Sequence, residues 1–175
     1  MFRKLLNSEL GRMDVEDYKA AIKAPIALVL DNIRSQHNIG SAFRTCDAFR
    51  VERLYLCGIC ATPPSAEIHK SALGAEFSVD WSYYPDTMDA VNTLKAEGWT
   101  IVSVEQAEHS TMLGEFRPES GRKYAFVFGN EVRGVSQEVV DASAACIEIP
   151  QYGTKHSLNV SVSVGIVLWS VLQKL

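Results

Sequence analysis

Short apolar runs that alternate with segments of helical spacing constrain the fold of this chain most strongly. The first run, residues 26–30, is continuously apolar, as expected of a strand buried on both faces of a sheet. Apolar residues then recur at positions 39, 42, 43, 46 and 49, which is the spacing of an amphipathic helix. The alternation continues and predicts strands at residues 26–30, 54–57, 79–83, 100–104, 124–128 and 146–149.

This pattern predicts an α/β fold with a mainly parallel sheet flanked by helices. The last helix, residues 158–172, is apolar nearly all round, so we expect it to be buried. Ligands of such sheets bind at the carboxyl ends of the strands. Three strands are followed there by polar loops that contain glycine, at residues 31–40, 129–134 and 150–159, here called the first, second and third loops.

Length and composition fit one globular domain. The chain has 175 residues, of which 47% are hydrophobic and 22% charged, enough for a sizeable core. Residues 1–24 are polar and are expected to form a short N-terminal helical appendage to a domain spanning residues 25–175. No apolar run reaches the ~18–20 residues of a membrane span, and the start turns polar too early for a secretory signal. We therefore expect a soluble, cytoplasmic protein.

Charge and missing motifs exclude several functions. A net charge of −4 argues against general nucleic-acid binding, although residues 34–53 hold four arginines and two acids. The sequence lacks the Gly-x-Gly-x-x-Gly motif of dinucleotide-binding folds and the P-loop motif of nucleotide-binding proteins. It also lacks the Gly-x-Ser-x-Gly nucleophile elbow of α/β-hydrolases. Cys57 and Cys60 form a lone Cys-x-x-Cys, which we interpret as reduced thiols, and the four histidines lack metal-ligand spacing. We expect no metal site.

The first loop leads into a helix with a candidate anion site. Asn38 stands where an N-cap is expected, and Arg44 follows Gly40 by about one turn. Because Gly40 lacks a side chain, that face is expected to be open for a ligand phosphate beside the guanidinium. The alternative is an ordinary cap together with a surface pair between Arg44 and Asp47.

The second and third loops carry further polar residues. In the second, Gly129 and Gly134 flank Glu131, which suits a tight turn with exposed backbone groups. The third ends in Ser157 and Asn159 at the start of the last helix, where both are also candidate caps. Each loop alone is also consistent with an ordinary surface connection, which is the favoured interpretation of the first loop by itself.

Together the three loops resemble the signature of the SpoU (TrmH-like) RNA 2′-O-ribose methyltransferases of the SPOUT superfamily. Residues 38–44 match Asn-x-Gly-x-x-x-Arg, and residues 129–134 match Gly-x-Glu-x-x-Gly after a strand. Residues 149–159 match Ile-Pro followed by Ser-Leu-Asn and an apolar helix. The order and spacing agree, and the resemblance spans about residues 26–175, including the segment 70–75.

The resemblance implies a fold, a cofactor and a partner. Members of the family fold with a C-terminal deep trefoil knot whose loops hold S-adenosylmethionine, and they act as homodimers with the site across two subunits. It implies cofactor contacts, largely through backbone groups, from Val104, Glu105, Gly129, Ile149 and Leu158. It implies no metal and no membrane, and the expected reaction is methylation of a ribose 2′-hydroxyl in tRNA or rRNA.

The resemblance also implies catalytic roles. Arg44 is expected to clamp an RNA phosphate and to stabilise the alkoxide that develops on the ribose, since a guanidinium is too basic to be a general base. Asn38 would position Arg44 or the ribose, and Glu131 would orient Arg44 or lie near the sulfonium. Ser157 and Asn159 would shape the cofactor loop and hydrogen-bond the reacting groups.

Three further side chains are candidates for RNA phosphate contacts: Arg34, Arg133 and Lys155. Three alternative functions stay open at this point. The enzyme could methylate a base, the chain could be a non-catalytic RNA-binding dimer, or it could be an unrelated nucleotide-binding α/β protein. The first loses support from the Asn38 and Arg44 motif, and the second from the retention of all five polar motif residues.

Overall fold

The computed structural model describes residues 2–175 and contains a seven-stranded parallel sheet. The strands lie in the order β3-β2-β1-β6-β4-β7-β5. Their bounds are Ala24–Asp31 (β1), Val51–Cys57 (β2), Trp81–Tyr84 (β3), Thr100–Val104 (β4), Thr111–Met112 (β5), Tyr124–Phe128 (β6) and Ala145–Glu148 (β7). The predicted α/β class is confirmed, and so are all six predicted strands, within about two or three residues. The two-residue strand β5 was too short to predict.

Residues 2–175 also form seven α-helices. They are Val15–Ala20 (α1), Gln36–Ala48 (α2), Ala66–Ala72 (α3), Ala75–Ser78 (α4), Thr87–Ala96 (α5), Gln137–Ala142 (α6) and Val160–Leu172 (α7). Helices α2 to α6 connect strands, α1 precedes β1 and α7 follows β7. Side chains on one sheet face, such as Leu28, pack with α2, α3, α4 and α7. Those on the other face, such as Val29, pack with α5 and α6. Both faces of β1 are therefore covered, which explains why its sequence is continuously apolar.

Helix α2 begins one residue after Ser35, and this corrects the expectation that Asn38 is its N-cap. The Ser35 hydroxyl accepts a hydrogen bond from the Asn38 backbone N–H at 3.2 Å, which is the capping contact. Asn38 therefore lies in the first turn, 7% exposed, with its side-chain amide available for other partners.

Gly40 is buried, so it does not leave an open face for a ligand. A Cβ there would lie 2.1 Å from the Ser71 hydroxyl and 2.3 Å from the Ile68 carbonyl oxygen, both on α3. The Ser71 hydroxyl donates to the carbonyl of His37 at 3.0 Å, across the same contact. The glycine therefore allows α2 and α3 to pack closely, and the expectation of a phosphate niche at Gly40 was wrong.

The last helix, α7, is only half buried. Val164, Val167, Leu168 and Val171 are fully enclosed, but Val162, Ile166 and Trp169 are 49%, 37% and 58% exposed. The expectation of a wholly buried helix was wrong for this chain by itself. An apolar sequence pattern indicates that a helix is shielded from water. It does not distinguish burial in the core of one chain from burial against a second chain. Among the helices of residues 2–175, none combines the length and apolarity needed to span a bilayer.

Candidate active site

A cleft of about 530 Å³ opens at the carboxyl ends of β4, β6 and β7. The second and third loops form most of its walls. The five predicted cofactor contacts all line it, together with three of the five predicted catalytic residues: Val104, Glu105, Gly129, Ile149, Leu158, Glu131, Ser157 and Asn159. The structure thus brings together residues that are 55 positions apart in sequence, at the sheet edge where parallel α/β folds bind ligands.

The second loop is a tight turn fixed by its own hydrogen bonds. The backbones of Asn130 and Gly134 exchange two of them, at 3.0 and 2.8 Å. The Asn130 side-chain oxygen accepts from the N–H groups of Val132 and Arg133, and its amide donates to the Asn32 carbonyl at 2.6 Å. Asn130 therefore shapes the turn and ties it to the end of β1.

Two carboxylates hold the C-terminal side of the same loop. Glu105 accepts from the Val135 N–H at 2.9 Å and from the Gln106 N–H at 2.8 Å. Asp31, 2% exposed, accepts from the Ser136 N–H at 2.9 Å. The family resemblance implied Glu105 as a cofactor contact, but the role of its side chain in holding the loop was missed because it depends on a contact 30 residues away.

A chain of side-chain hydrogen bonds joins the three motifs. The Asn159 amide donates to the Asn38 side-chain oxygen at 3.2 Å, and the Asn38 amide donates to Glu131 at 3.2 Å. Glu131 also accepts from the N–H groups of Arg34 and Ser35, at 3.2 and 3.3 Å. Asn159 additionally caps α7 through the Ser161 N–H, as one of the sequence interpretations proposed.

The charge of Glu131 is stabilised by this arrangement. Partial burial raises its pKa, but hydrogen bonds from backbone N–H groups and from the Asn38 amide outweigh burial and place the pKa below the ordinary glutamate value. Glu131 is therefore an ionised acceptor that holds the start of α2 against the second loop.

The pH dependence of stability offers a test of that role. Glu131→Gln should lower the free energy of unfolding at neutral pH by about 0.5–1 kcal/mol, a small value because the side chain is exposed. A depressed carboxyl pKa stabilises the fold above the unfolded-state pKa, and this contribution is lost as pH falls through the folded-state pKa. The difference between wild type and variant should therefore shrink in acid, as measured by urea unfolding at pH 7 and near pH 3.

The exposed acid Glu138 on α6 supplies a matched control for that measurement. Glu138→Gln should leave stability nearly unchanged at both pH values. A wild-type advantage over Glu131→Gln that stays constant down to low pH would contradict the assigned ionised state.

Arg44 lies outside the cofactor cleft. Its side chain is exposed and lines a separate cavity of about 620 Å³ beside α2, with His37, Ser41, Lys70 and the half-buried Gly165 of α7. No ion pair between Arg44 and Asp47 forms within residues 2–175, and Asp47 accepts a hydrogen bond from the Ser78 hydroxyl at 2.5 Å. Glu131 makes its bonds with the first loop and does not orient Arg44 of its own chain.

The remaining candidates are exposed. Ser157 lines the cleft, and so does Arg133. Arg34 and Lys155 do not line it, and Arg34 touches the site only through its backbone N–H to Glu131. Lys70, which shares a cavity with Arg44, was not among the predicted site residues, although it lies in the matched segment 70–75. Within residues 2–175 no cluster of three or more His, Cys, Asp or Glu side chains could hold a metal ion.

Several known proteins are similar to this chain in amino-acid sequence and in fold. The family model of the SpoU rRNA methylase family matches residues 25–169. A tRNA (guanosine(18)-2′-O)-methyltransferase of Aquifex aeolicus is 34% identical over 79% of this chain and 64% of its own length. A 23S rRNA (guanosine-2′-O-)-methyltransferase, RlmB, of Vibrio parahaemolyticus is 28% identical over 95% of this chain and 66% of its own. The chain thus spans slightly less than two thirds of these curated relatives.

A solved structure agrees with the sequence comparisons. The crystal structure of the AdoMet-bound rRNA methyltransferase from Sinorhizobium meliloti superimposes with a TM-score of 0.81 at 26% identity, over 90% of this chain and 60% of that one. The family match covers the sheet from the second residue of β1 onward, together with the first, second and third loops. The chain therefore belongs to the SpoU rRNA methylase family.

Proposed function

We propose that this protein transfers a methyl group from S-adenosylmethionine to a ribose 2′-hydroxyl of tRNA or rRNA. The observation that carries the proposal is the chain of hydrogen bonds from Asn159 through Asn38 to Glu131, which unites the three motif loops at one cleft. The names of the relatives, which methylate guanosine riboses in tRNA and rRNA, support the same reaction.

The cleft suits S-adenosylmethionine in size and chemistry. Its volume of about 530 Å³ lies within the range of ~300–1,000 Å³ typical of small-molecule sites. Val104, Ile149 and Leu158 offer apolar surface and backbone groups to an adenine, and Gly129 adds its backbone groups to the same cleft. The carboxylates Glu105 and Glu148 line the same cleft and suit a ligand that carries positive charge. When bound, the cofactor supplies an electrophilic sulfonium methyl group.

The protein must align a poor nucleophile with that methyl group. The ribose oxygen gains the methyl carbon as the carbon–sulfur bond breaks, and its proton is released. The guanidinium of Arg44 binds the adjacent phosphate and stabilises the developing alkoxide. The hydrogen bond between Asn38 and Asn159 holds the start of α2 against the start of α7. Ser157 offers a hydroxyl group at the cleft, and Glu131 holds the first loop in place.

A homodimer would complete this site. Arg44 and the cleft residues line separate cavities of one chain, so a second copy would bring its Arg44 to the cofactor. The exposed apolar residues of α7, Val162, Ile166 and Trp169, supply a surface for that contact, next to the Arg44 cavity lined by Gly165. Sedimentation at micromolar concentration should give twice the 19.3 kDa mass of one chain, and a clean monomer would contradict the shared site.

The trefoil knot is part of the same proposal. Strands β6 and β4 lie between β1 and β7, yet the chain returns after β7 to place Asn159 against Asn38 in the first turn of α2, the helix that follows β1. This return path, across the second loop, supports a knot formed by the third loop and α7. The contacts of Arg34, Arg133 and Lys155 with RNA phosphates also remain proposals.

The deciding experiment measures transfer of labelled methyl from S-adenosylmethionine to separated tRNA and rRNA, followed by digestion to nucleosides. Label in a 2′-O-methylnucleoside is the expected result and identifies the class of RNA. Label in a modified base would overturn the ribose assignment. Absence of label with the full set of cellular RNAs, despite cofactor binding by calorimetry, would favour a non-catalytic RNA-binding protein.

A further inference from the structure

A buried acid at the end of β1, Asp31, has no part in the proposed transfer. Its side chain lines neither the cofactor cleft nor the Arg44 cavity. No lysine, arginine or histidine within residues 2–175 forms an ion pair with it. A buried carboxylate without a cationic partner costs free energy unless several hydrogen-bond donors surround it. The donors around Asp31 therefore indicate what this side chain holds together.

Three donors from three segments of the chain converge on the Asp31 carboxylate. The Thr87 hydroxyl, at the start of α5, donates to Oδ1 at 2.6 Å. The Asn32 side-chain amide donates to the same oxygen at 2.8 Å. The backbone N–H of Ser136, which follows the second loop, donates to Oδ2 at 2.9 Å. One side chain is thus bonded to α5, to the first loop and to the end of the second loop.

Asn32 extends the influence of Asp31 to the start of the second loop. Its backbone is in the left-handed region, with a φ of +57°, which a residue other than glycine holds only where its contacts fix it. Because its side-chain nitrogen is bonded to Asp31, its Oδ1 faces the Ile59 N–H and accepts from it at 3.1 Å. In this conformation the Asn32 carbonyl accepts from the Asn130 amide at 2.6 Å. Asp31 therefore helps to set the direction of a carbonyl that anchors the second loop.

We propose that Asp31 is a positioning residue that holds the second loop at a fixed place relative to the first. It acts directly through Ser136 on the C-terminal side of the second loop, and through Asn32 and Asn130 near its start. The second loop lines the cofactor cleft, and the first leads into α2, which carries Arg44. This inference rests on the proposed function for the part that α2 plays, but its effect on cofactor binding is measurable without methyl transfer.

Asp31→Asn keeps the size of the side chain but replaces one acceptor oxygen by an amino group. In either orientation that group faces a donor, the Ser136 N–H or the Asn32 amide, so one loop loses its contact. The Thr87 hydroxyl can rotate to suit both orientations. We expect the dissociation constant for S-adenosylmethionine, measured by calorimetry on the full chain, to rise about tenfold. Wild-type affinity in a folded Asp31→Asn protein would overturn the proposal.

Thr87→Val is the matched control, because it takes one donor from the same carboxylate but frees only α5. The urea midpoint should fall in both variants, since each leaves a buried polar group with fewer hydrogen bonds. The affinity for S-adenosylmethionine should change by less than about twofold in Thr87→Val. Equal losses of affinity in the two variants would mean that Asp31 only stabilises the fold, and this would contradict the positioning role.

Asn32→Gly tests the contact through Asn32 even if Asp31→Asn does not fold. Glycine adopts the left-handed backbone without strain, so the carbonyl is retained while the side-chain bond to Asp31 is lost. We expect the dissociation constant for S-adenosylmethionine to rise about threefold, because the carbonyl that faces Asn130 is no longer held in one direction. An unchanged affinity would overturn the proposal.

Methyl transfer at saturating S-adenosylmethionine separates this inference from the proposed function. Asp31→Asn should transfer methyl to RNA about tenfold more slowly than wild type even at saturation, because the first loop and α2 are no longer held against the cofactor cleft. Thr87→Val should keep the wild-type rate, and an equal slowing of both variants would contradict the inference. A wild-type protein that transfers no methyl would refute the proposed function, and the calorimetric comparison would still decide the role of Asp31.

Discussion

Arg44→Ala should lower methyl transfer to RNA by about 100- to 1,000-fold, the usual effect of removing one group that stabilises transition-state charge. The affinity for S-adenosylmethionine should change by less than about twofold, because Arg44 does not line the cofactor cleft of its own chain and would act on the reacting oxygen. The measurements are single-turnover methyl transfer and calorimetric cofactor binding on the same preparation.

Arg44→Lys refines the interpretation. A lysine keeps the charge but loses the planar fork that can contact a phosphate and an oxygen together, so it should recover only part of the rate. Arg122→Ala serves as the control, because Arg122 is an exposed arginine in the loop before β6, at the amino end of that strand and away from the cleft at its carboxyl end. Full turnover by Arg44→Ala would refute the assigned role, and a parallel loss in Arg122→Ala would indicate general loss of RNA attraction.

The sheet and the position of the cleft could be predicted because they depend on local patterns. Continuous apolar runs such as 26–30 mark strands that are covered on both faces, and the polar loops after them gather at one edge. The second and third motifs predicted residues that line the cleft, whereas Asn38 and Arg44 of the first motif do not line it. That separation is consistent with one chain presenting two parts of a larger site.

The remaining errors have a common physical cause, which is contact between distant segments. Gly40 was expected to be open, but the helix that fills its space begins 26 residues later. Asn38 was expected to cap α2, because N-caps are predicted from the residues next to them in the sequence. Its side-chain partners in the structure, Glu131 and Asn159, are 93 and 121 residues away. The apolar pattern of α7 likewise could not distinguish the protein core from an exposed face.

Gly129→Ala should be the most damaging small substitution in the cleft. A Cβ at this position would lie 2.0 Å from both the Gly134 carbonyl carbon and the Val135 nitrogen. These are backbone atoms, so relief requires the second loop to move as a unit, away from Glu105 and Asp31, which hold Val135 and Ser136. We expect a loss of about 3 kcal/mol in unfolding free energy, at the upper end for overpacking.

The same displacement should raise the dissociation constant for S-adenosylmethionine by at least about tenfold, since backbone groups at Gly129 line the cleft. Gly134→Ala should be milder, because its added Cβ meets a side-chain oxygen of Glu105 at 2.1 Å, which can swing away, although its φ of +70° adds strain. Gly114→Ala, with no atom within 4 Å of the added Cβ, is the control and should be nearly neutral.

The order of these three variants distinguishes two causes of damage. If left-handed backbone strain dominated, Gly134→Ala would be the worst, since Gly129 has no positive φ. If close packing of backbone against backbone dominates, Gly129→Ala is the worst, and its loss of stability and loss of cofactor affinity occur together. Urea unfolding with and without S-adenosylmethionine measures both quantities, and a stable Gly129→Ala that binds cofactor normally would show that the second loop is not held as described.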